Sequence, residues 1–289
     1  MLSIIIIFLI AIFENTSCVN GLSKVASIIT GSTGILGQSL VKACCSQGFH
    51  VIIGYRDSWK ENELRKKVPD ICLHSKSLFI DLSRPYEISS ATFAGLGLEC
   101  FDKLVLYNNG GVCLHGSTFE ALRDSLIINA LSPISLAELV MKTFINKEVR
   151  VVNISSGEGE LIFLHSKLQK ELQGITTIQE WRSTLATHFS PQHFDSDLEY
   201  AYGDTPMYSV SKAYLNKASQ LLHHTCLPHH HVLTTCPGNF LSLMSGPDDI
   251  EEVWEVQQVA DMIVSMAMTD SSAKYSGDVF WRRGHVIPW

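Results

Sequence analysis

Apolar residues along this chain gather into short uninterrupted runs, separated by longer stretches in which they recur at helical spacing. Runs without polar alternation suit strands buried on both faces, and the stretches between them supply covering helices. The pattern therefore predicts an α/β fold built on a doubly wound parallel sheet of about seven strands. Ala26–Thr30 reads as the first strand, His50–Gly54 as the second, Leu78–Leu82 as the third and Leu104–Tyr107 as the fourth. Val149–Gly157, Val232–Thr235 and Ser276–Trp281 complete the set. A helical pattern runs over Gln38–Gln47, and Val259, Met262, Ile263, Met266 and Met268 read as the buried side of the last helix.

The apolar run Leu2–Phe13 stands apart, because it precedes the first basic residue, Lys24, and the first core strand. A membrane span needs about 20 apolar residues, so the run suits the apolar region of a signal peptide better than a span. No Lys or Arg precedes it, and a misplaced start or an extra hydrophobic arm is the competing reading of residues 1–22. The compartment stays open: secretory or membrane-associated if that segment functions, cytoplasmic otherwise. Residues 23–289 read as a single domain, with no proline-rich, repetitive or low-complexity stretch to divide them.

The net charge of −7 and the lack of a basic stripe with interleaved aromatics argue against a nucleic-acid partner. Eight cysteines include no C-x-x-C pair and read as free, buried thiols. Of two Asn-x-Ser/Thr triplets, Asn15-Thr16-Ser17 and Asn153-Ile154-Ser155, the second falls at the end of a core strand where a glycan has no room.

The first strand leads into Thr30-Gly31-Ser32-Thr33-Gly34-Ile35-Leu36-Gly37 and then a helix. Strand, glycine loop and helix in that order suit a dinucleotide, because glycines let the backbone approach a pyrophosphate and the helix N-terminus meets its charge. An ordinary strand-to-helix turn is the plainer reading of the loop alone. The second strand ends in Tyr55-Arg56-Asp57. A guanidinium there can clamp a 2′-phosphate, which favours NADP(H) over NAD(H), although Asp57 could instead pair with Arg56. Asp81, with Leu82, closes the third strand, where it can accept from an adenine amino group or cap the next helix. Asn108-Asn109-Gly110-Gly111 closes the fourth, with small residues against which a cofactor can lie.

The catalytic candidates lie downstream. Tyr208 and Lys212 share one face of a helix, so the ammonium can favour ionisation of the phenol and fit it for proton exchange. The fifth strand delivers Ser155 and Ser156 to the carboxyl edge of the sheet, where ligands of open α/β folds bind. Pro237-Gly238 follows the sixth strand.

In this order, Thr30-Gly31 with its glycines, Asp81, Asn108-Asn109-Gly110-Gly111, Asn129, Ser156, Tyr208/Lys212 and Pro237-Gly238 resemble the short-chain dehydrogenase/reductase family from about Val25 to Trp289. The resemblance implies a Rossmann-type fold. Within the family the chain looks most like the monomeric carbonyl reductase group, which also holds plant menthone and salutaridine reductase-like enzymes. The signature is a long insertion, about residues 158–205, between Ser156 and Tyr208. Its helical patterns, Leu168–Leu172 and Ile178–Arg182, read as lid helices, and in that group the inserted helix covers the surface others use to form tetramers, so a monomer is expected.

The resemblance makes Tyr208 the general acid that protonates a carbonyl oxygen as hydride arrives from NADPH. Lys212 would depress its pKa and hold the nicotinamide ribose, Ser156 would orient the carbonyl, and Asn129 would hold a water that relays protons to Lys212. The cofactor site would comprise Thr30, Gly31, Ser32, Thr33, Gly34, Ile35, Gly37, Arg56, Asp81, Leu82, Asn109, Gly110, Gly111, Tyr208, Lys212, Pro237 and Gly238. The substrate would be a small lipophilic ketone, aldehyde or quinone, or the matching alcohol.

The chain departs from the pattern in places. Its middle loop glycine, Gly34, comes one place early, as in the extended branch of the family, and Ser32-Thr33 supply no basic residue for a 2′-phosphate, which keeps NAD(H) open. Gly110 replaces the more usual alanine, a change expected to be harmless. Ser242 falls where relatives place a threonine near the nicotinamide. Leu161, Ile162, Phe163, Leu243 and Met244 suggest a lipophilic pocket or, equally, core and lid packing. Two alternatives remain: an extended-type enzyme of nucleotide sugars, and an NADP(H)-binding sensor or scaffold without turnover. His223, His224, His229, His230 and His231 read as solvated, with no acid or cysteine nearby to complete a metal site.

Overall fold

The computed structural model describes residues 24–68, 75–195, 200–240, 255–269, 280–282 and 285–287. The N-terminal segment, Ser242, Leu243, Met244 and most of the predicted seventh strand lie outside them. Strands β1 (Val25–Ile29), β2 (His50–Tyr55), β3 (Ser75–Phe79), β4 (Lys103–Asn108), β5 (Glu148–Ile154), β6 (His230–Cys236), β7 (Phe280–Arg282) and β8 (His285–Ile287) form one sheet in the order β3-β2-β1-β4-β5-β6-β7-β8. All pairings are parallel except β7 with β8, so the expected doubly wound parallel sheet gains a short antiparallel edge. A three-residue strand formed from the last residues has too few positions to show a period, which is why the sequence did not reveal it.

Helices cover both faces. On one lie α1 (Ile35–Ser46), α2 (Ser58–Lys67) and α8 (Val256–Met268), packed over β1, β2 and the outer face of β4 to β6 through Leu40, Val41, Leu64, Val259 and Ile263. On the other lie α3 (Phe119–Leu126), α4 (Ser132–Thr143) and α7 (Pro206–Thr225), whose Leu126, Ile134, Val210 and Ala213 meet Leu104, Leu106 and Val151. Helices α3 and α4 join through a wide π-turn, Ile127–Leu131. The combined helix, Phe119–Thr143, is long and apolar enough to cross a membrane, but its most apolar stretch is mostly buried inside the protein, as in a core helix.

The insertion forms α5 (Ser166–Gly174) and α6 (Ile178–Thr187), and both are clamped to α7. Leu168, Leu172, Trp181 and Leu185 are buried in the core cluster that contains Met207 and Tyr214. The Trp181 indole donates to the Tyr214 carbonyl (2.9 Å), and Glu171 accepts from both His188 and the Tyr214 hydroxyl.

Two minor expectations change. His230 and His231 belong to β6, and His230 is buried, not solvated, which pushes its pKa down to about 4. Among the described cysteines, Cys44 and Cys236 are buried, whereas Cys100 is exposed. Asn153 is fully buried, with its side chain donating to Ser219 and accepting from Asn108, so its triplet has no room for a glycan.

Candidate active site

The strand order reverses direction between β1 and β4, and the loops after these strands face one crevice at the carboxyl edge. Helix α1 starts at Ile35, earlier than its apolar pattern predicts, with Gly34 as N-cap. Gly31 turns the chain at φ +61°, and a Cβ there would stand 2.7 Å from the Gly110 Cα. Gly37, in the first turn of α1, leaves no room either: a Cβ would lie 2.2 Å from the Gly31 carbonyl oxygen. Helix α1 has neither a side-chain cap nor an acid in its first turn. Its leading N–H groups and dipole are therefore available to an anion, and Ile35 beside them is 42% exposed. The cradle fits the pyrophosphate of a dinucleotide.

Several predicted cofactor residues shape that cradle and do not point into it. The Thr30 hydroxyl accepts from the Asn109 and Gly110 amides (3.1 and 2.9 Å), and the Asn109 side chain donates to the carbonyls of Thr30 and Gly31 (3.0 and 3.2 Å). Together they tie the tip of β1 to that of β4. Ser32 is buried with its hydroxyl donating to the Ile29 carbonyl (2.6 Å), so its side chain is turned inward. Thr33 is half-buried, with its carbonyl accepting from Gln38. An alanine at Gly110 would stand 2.7 Å from a Leu82 methyl, the far end of a flexible side chain that would have to shift.

At the β2 tip Arg56 is exposed, and Asp57 caps α2 through the Trp59 and Lys60 amides (2.9 and 3.4 Å), so the considered Arg56–Asp57 pairing gives way to a helix cap. The Arg56 charge instead acts on Asp81. Desolvation works to raise the Asp81 pKa, but the Ser83 hydroxyl and amide (2.8 and 3.0 Å) together with Arg56 and Arg84 hold it below the ordinary aspartate value. Asp81 does not cap the next helix, Pro85–Glu87, whose N-cap is Arg84; its carboxylate closes a local turn onto Ser83 instead.

The catalytic candidates converge from three elements. Lys212 is buried on α7, with its ammonium donating to the Ile154 carbonyl (2.9 Å) and lying 5.4 Å from the centre of the Tyr208 ring. Burial pulls its pKa down to about 8, against the opposing pull of Cys236, Cys113 and Glu158. The expected depression of Tyr208 is not seen: desolvation first, and then the charge of Glu158, push the phenol above its ordinary value, with the Ser156 hydroxyl opposing them. A raised phenol is a weaker acid, so in the cofactor-free protein Tyr208 lacks the tuning that proton exchange needs. The Ser156 hydroxyl also accepts from the Glu158 amide (3.2 Å).

Asn129 sits in the π-turn, fully buried. Its side chain accepts from the Val112 amide (2.9 Å) and donates to the Val112 carbonyl (2.8 Å) and the Ser211 hydroxyl (2.9 Å). That amide is engaged in fixing the β4 loop, so the expected water-holding role does not fall to its NH2 group. Gly111 lies alongside: a Cβ there would stand 3.0 Å from the Asn129 oxygen and 3.7 Å from the Lys212 nitrogen. Pro237 and Gly238, at φ +75°, continue from β6, and the amides of Gly157 and Gly238 donate to the Cys236 sulfur (3.2 and 3.4 Å).

Sequence reasoning missed Glu158, Cys113 and Cys236, which all lie close enough to affect the ionisation of Tyr208 or Lys212. The available signal was position: Glu158 is two residues after Ser156, Cys113 two after Gly111, and Cys236 precedes Pro237.

The short chain dehydrogenase family matches residues 24–167, from the start of β1 into α5. No curated protein matches the chain. Among solved structures, salutaridine reductase from Papaver somniferum is 20% identical at a TM-score of 0.71, with 89% of this chain and 99% of that one covered. Menthone neomenthol reductase from Mentha piperita is 17% identical at 0.69, covering 91% and 99%. A short-chain dehydrogenase/reductase from Burkholderia multivorans with bound NADP is 19% identical at 0.61, covering 91% and 99%. The sheet order, the glycine cradle at its switch point and the matched segment agree, and the chain belongs to the short-chain dehydrogenase/reductase family.

Proposed function

We propose that this protein is an NADP(H)-dependent oxidoreductase that reduces a carbonyl to an alcohol, with Tyr208 as general acid. The observation that carries the reading is the convergence of Ser156, Tyr208 and Lys212 beside the glycine cradle. When bound, the nicotinamide cofactor supplies the hydride. Gly31, Gly34 and the N-terminus of α1 receive its pyrophosphate, and the exposed Arg56 meets the 2′-phosphate of NADP(H). The NADP bound to the Burkholderia multivorans relative supports that choice over NAD(H).

Ser156 and Tyr208, close enough for the serine to act on the phenol's ionisation, orient the substrate oxygen between two hydroxyls. Tyr208 donates the proton that the oxygen takes up, and Lys212 holds positive charge beside the resulting phenolate. Asn129 positions the β4 loop against this group. The substrate is a small lipophilic ketone, aldehyde or quinone. The chain works as a monomer, because α5 and α6 cover part of α7 that would otherwise be free for a partner subunit.

The test follows NADPH oxidation against a panel of quinones, aldehydes and cyclic ketones, with NADH as matched control. Turnover with NADPH supports the reading. Tight NADPH binding without turnover of any substrate would replace it with the sensor reading.

A further inference from the structure

Glu158 is the acid nearest the proposed chemistry, and neither cofactor binding nor proton transfer uses it. It lies on a one-turn 3-10 helix, Gly157–Gly159, that follows β5 and presses directly on α7: a Cβ at Gly159 would stand 2.9 Å from the Lys212 Cβ. Its Oε2 accepts from the Thr205 hydroxyl (2.7 Å) and the Ser209 hydroxyl (3.1 Å), which fix the carboxylate over the first turn of α7, beside Tyr208. Its other oxygen accepts no hydrogen bond among the described residues, and no Lys, Arg or His among them comes within salt-bridge distance. Glu160, two residues on, faces Arg282 instead.

The Glu158 charge bears on Tyr208, Lys212 and Cys113, groups from α7 and from the loop after β4, so the carboxylate borders the cleft they share. It is also exposed to solvent. Four and five residues further along the chain, Ile162 and Phe163 are 72% and 40% exposed, and Tyr202, whose amide donates to the Phe163 carbonyl (2.8 Å), is 57% exposed. A carboxylate held by two hydroxyls, without a salt bridge among the described residues and with exposed apolar and aromatic side chains nearby in the chain, is complementary to an apolar molecule that carries a positive charge. The net charge of −7 draws cations in the same sense.

We infer that Glu158 is a specificity-determining residue, a fixed carboxylate at the cleft rim that pairs with a cationic group, such as a protonated amine, on the carbonyl substrate. This rests on the reductase reading for the reacting group, while the charge preference belongs to Glu158 itself.

The experiment compares two aldehydes of matched shape, 4-(trimethylammonio)benzaldehyde and 4-tert-butylbenzaldehyde. Both are assayed for turnover with NADPH and for equilibrium binding to the NADP+-loaded protein. Wild type, Glu158→Gln and Glu160→Gln are compared; glutamine keeps an acceptor for Thr205 and Ser209, so the fold is retained. The expected result is a preference of about tenfold for the cation in wild type and Glu160→Gln, weakened by salt and lost in Glu158→Gln, with the neutral aldehyde little changed. Equal handling of both aldehydes by wild type, or a preference that survives Glu158→Gln, would overturn the inference. Cation-selective binding that depends on Glu158 but comes without turnover would uphold the site and sink the reductase reading.

Discussion

Gly31 and Gly110 meet backbone to backbone where β1 and β4 end, with 2.7 Å between the Gly110 Cα and the place a Cβ would take on Gly31. Two loops that must both reach the cofactor are thereby packed on each other. Gly31→Ala has to move the backbone of Gly110 and also hold a side chain at φ +61°. The expected cost is about 1–3 kcal/mol of stability, with weaker NADPH binding, read by thermal melts and by titration of NADPH fluorescence. Unchanged melting and affinity would show that the loops can separate freely.

Lys212 is a buried ammonium whose pKa falls from the usual 10.5 to about 8. The unfolded chain holds that proton more tightly, so the folded state carries a penalty that is full below pH 8 and is relieved as pH rises from 8 toward 10.5. Lys212→Met removes the penalty and loses the bond to Ile154. In the cofactor-free protein it should be more stable by roughly 2 kcal/mol at pH 7, a gain that shrinks through that window. Denaturant melts across pH check this, and a destabilised variant at pH 7 would contradict it.

Asn129→Ala removes a buried amide that bonds Val112 twice and Ser211 once. The expected loss is about 2–4 kcal/mol, because the Val112 amide and carbonyl are left without partners, and Ser211→Ala should cost less. Chemical denaturation of both variants gives the comparison.

Trp181→Ala should cost about 3–5 kcal/mol, since a fully buried indole and its bond to the Tyr214 carbonyl are lost together. Limited proteolysis should then cut within residues 157–205 faster than in wild type. Equal cutting rates would mean that Trp181 does not hold the insertion to α7.

The fold was legible because its strands are continuous apolar runs: Val51 to Ile53 and Leu104 to Tyr107 are wholly buried, as two-sided cover requires. The inserted helices were legible through Leu168, Leu172 and Trp181, which lie at helical spacing and prove buried. Side-chain direction was not legible. Ser32 reads like Thr33 on the page, yet its hydroxyl turns inward to Ile29, and Asp57 takes a helix cap in place of the adjacent Arg56. The ionisation of Tyr208 was misjudged for a similar reason. Helical spacing showed that Lys212 could be near, but it carried no measure of desolvation or of the Glu158 charge, and these raise the phenol.

The most direct test of the account is Tyr208→Phe, assayed for NADPH affinity and for turnover of a substrate that wild type reduces. Removing the hydroxyl leaves the ring and the glycine cradle in place. The account predicts NADPH affinity within about twofold of wild type and turnover lower by about 10²–10⁴. A Tyr208→Phe protein that keeps wild-type turnover would contradict the assignment of the acid, and with it the mechanism.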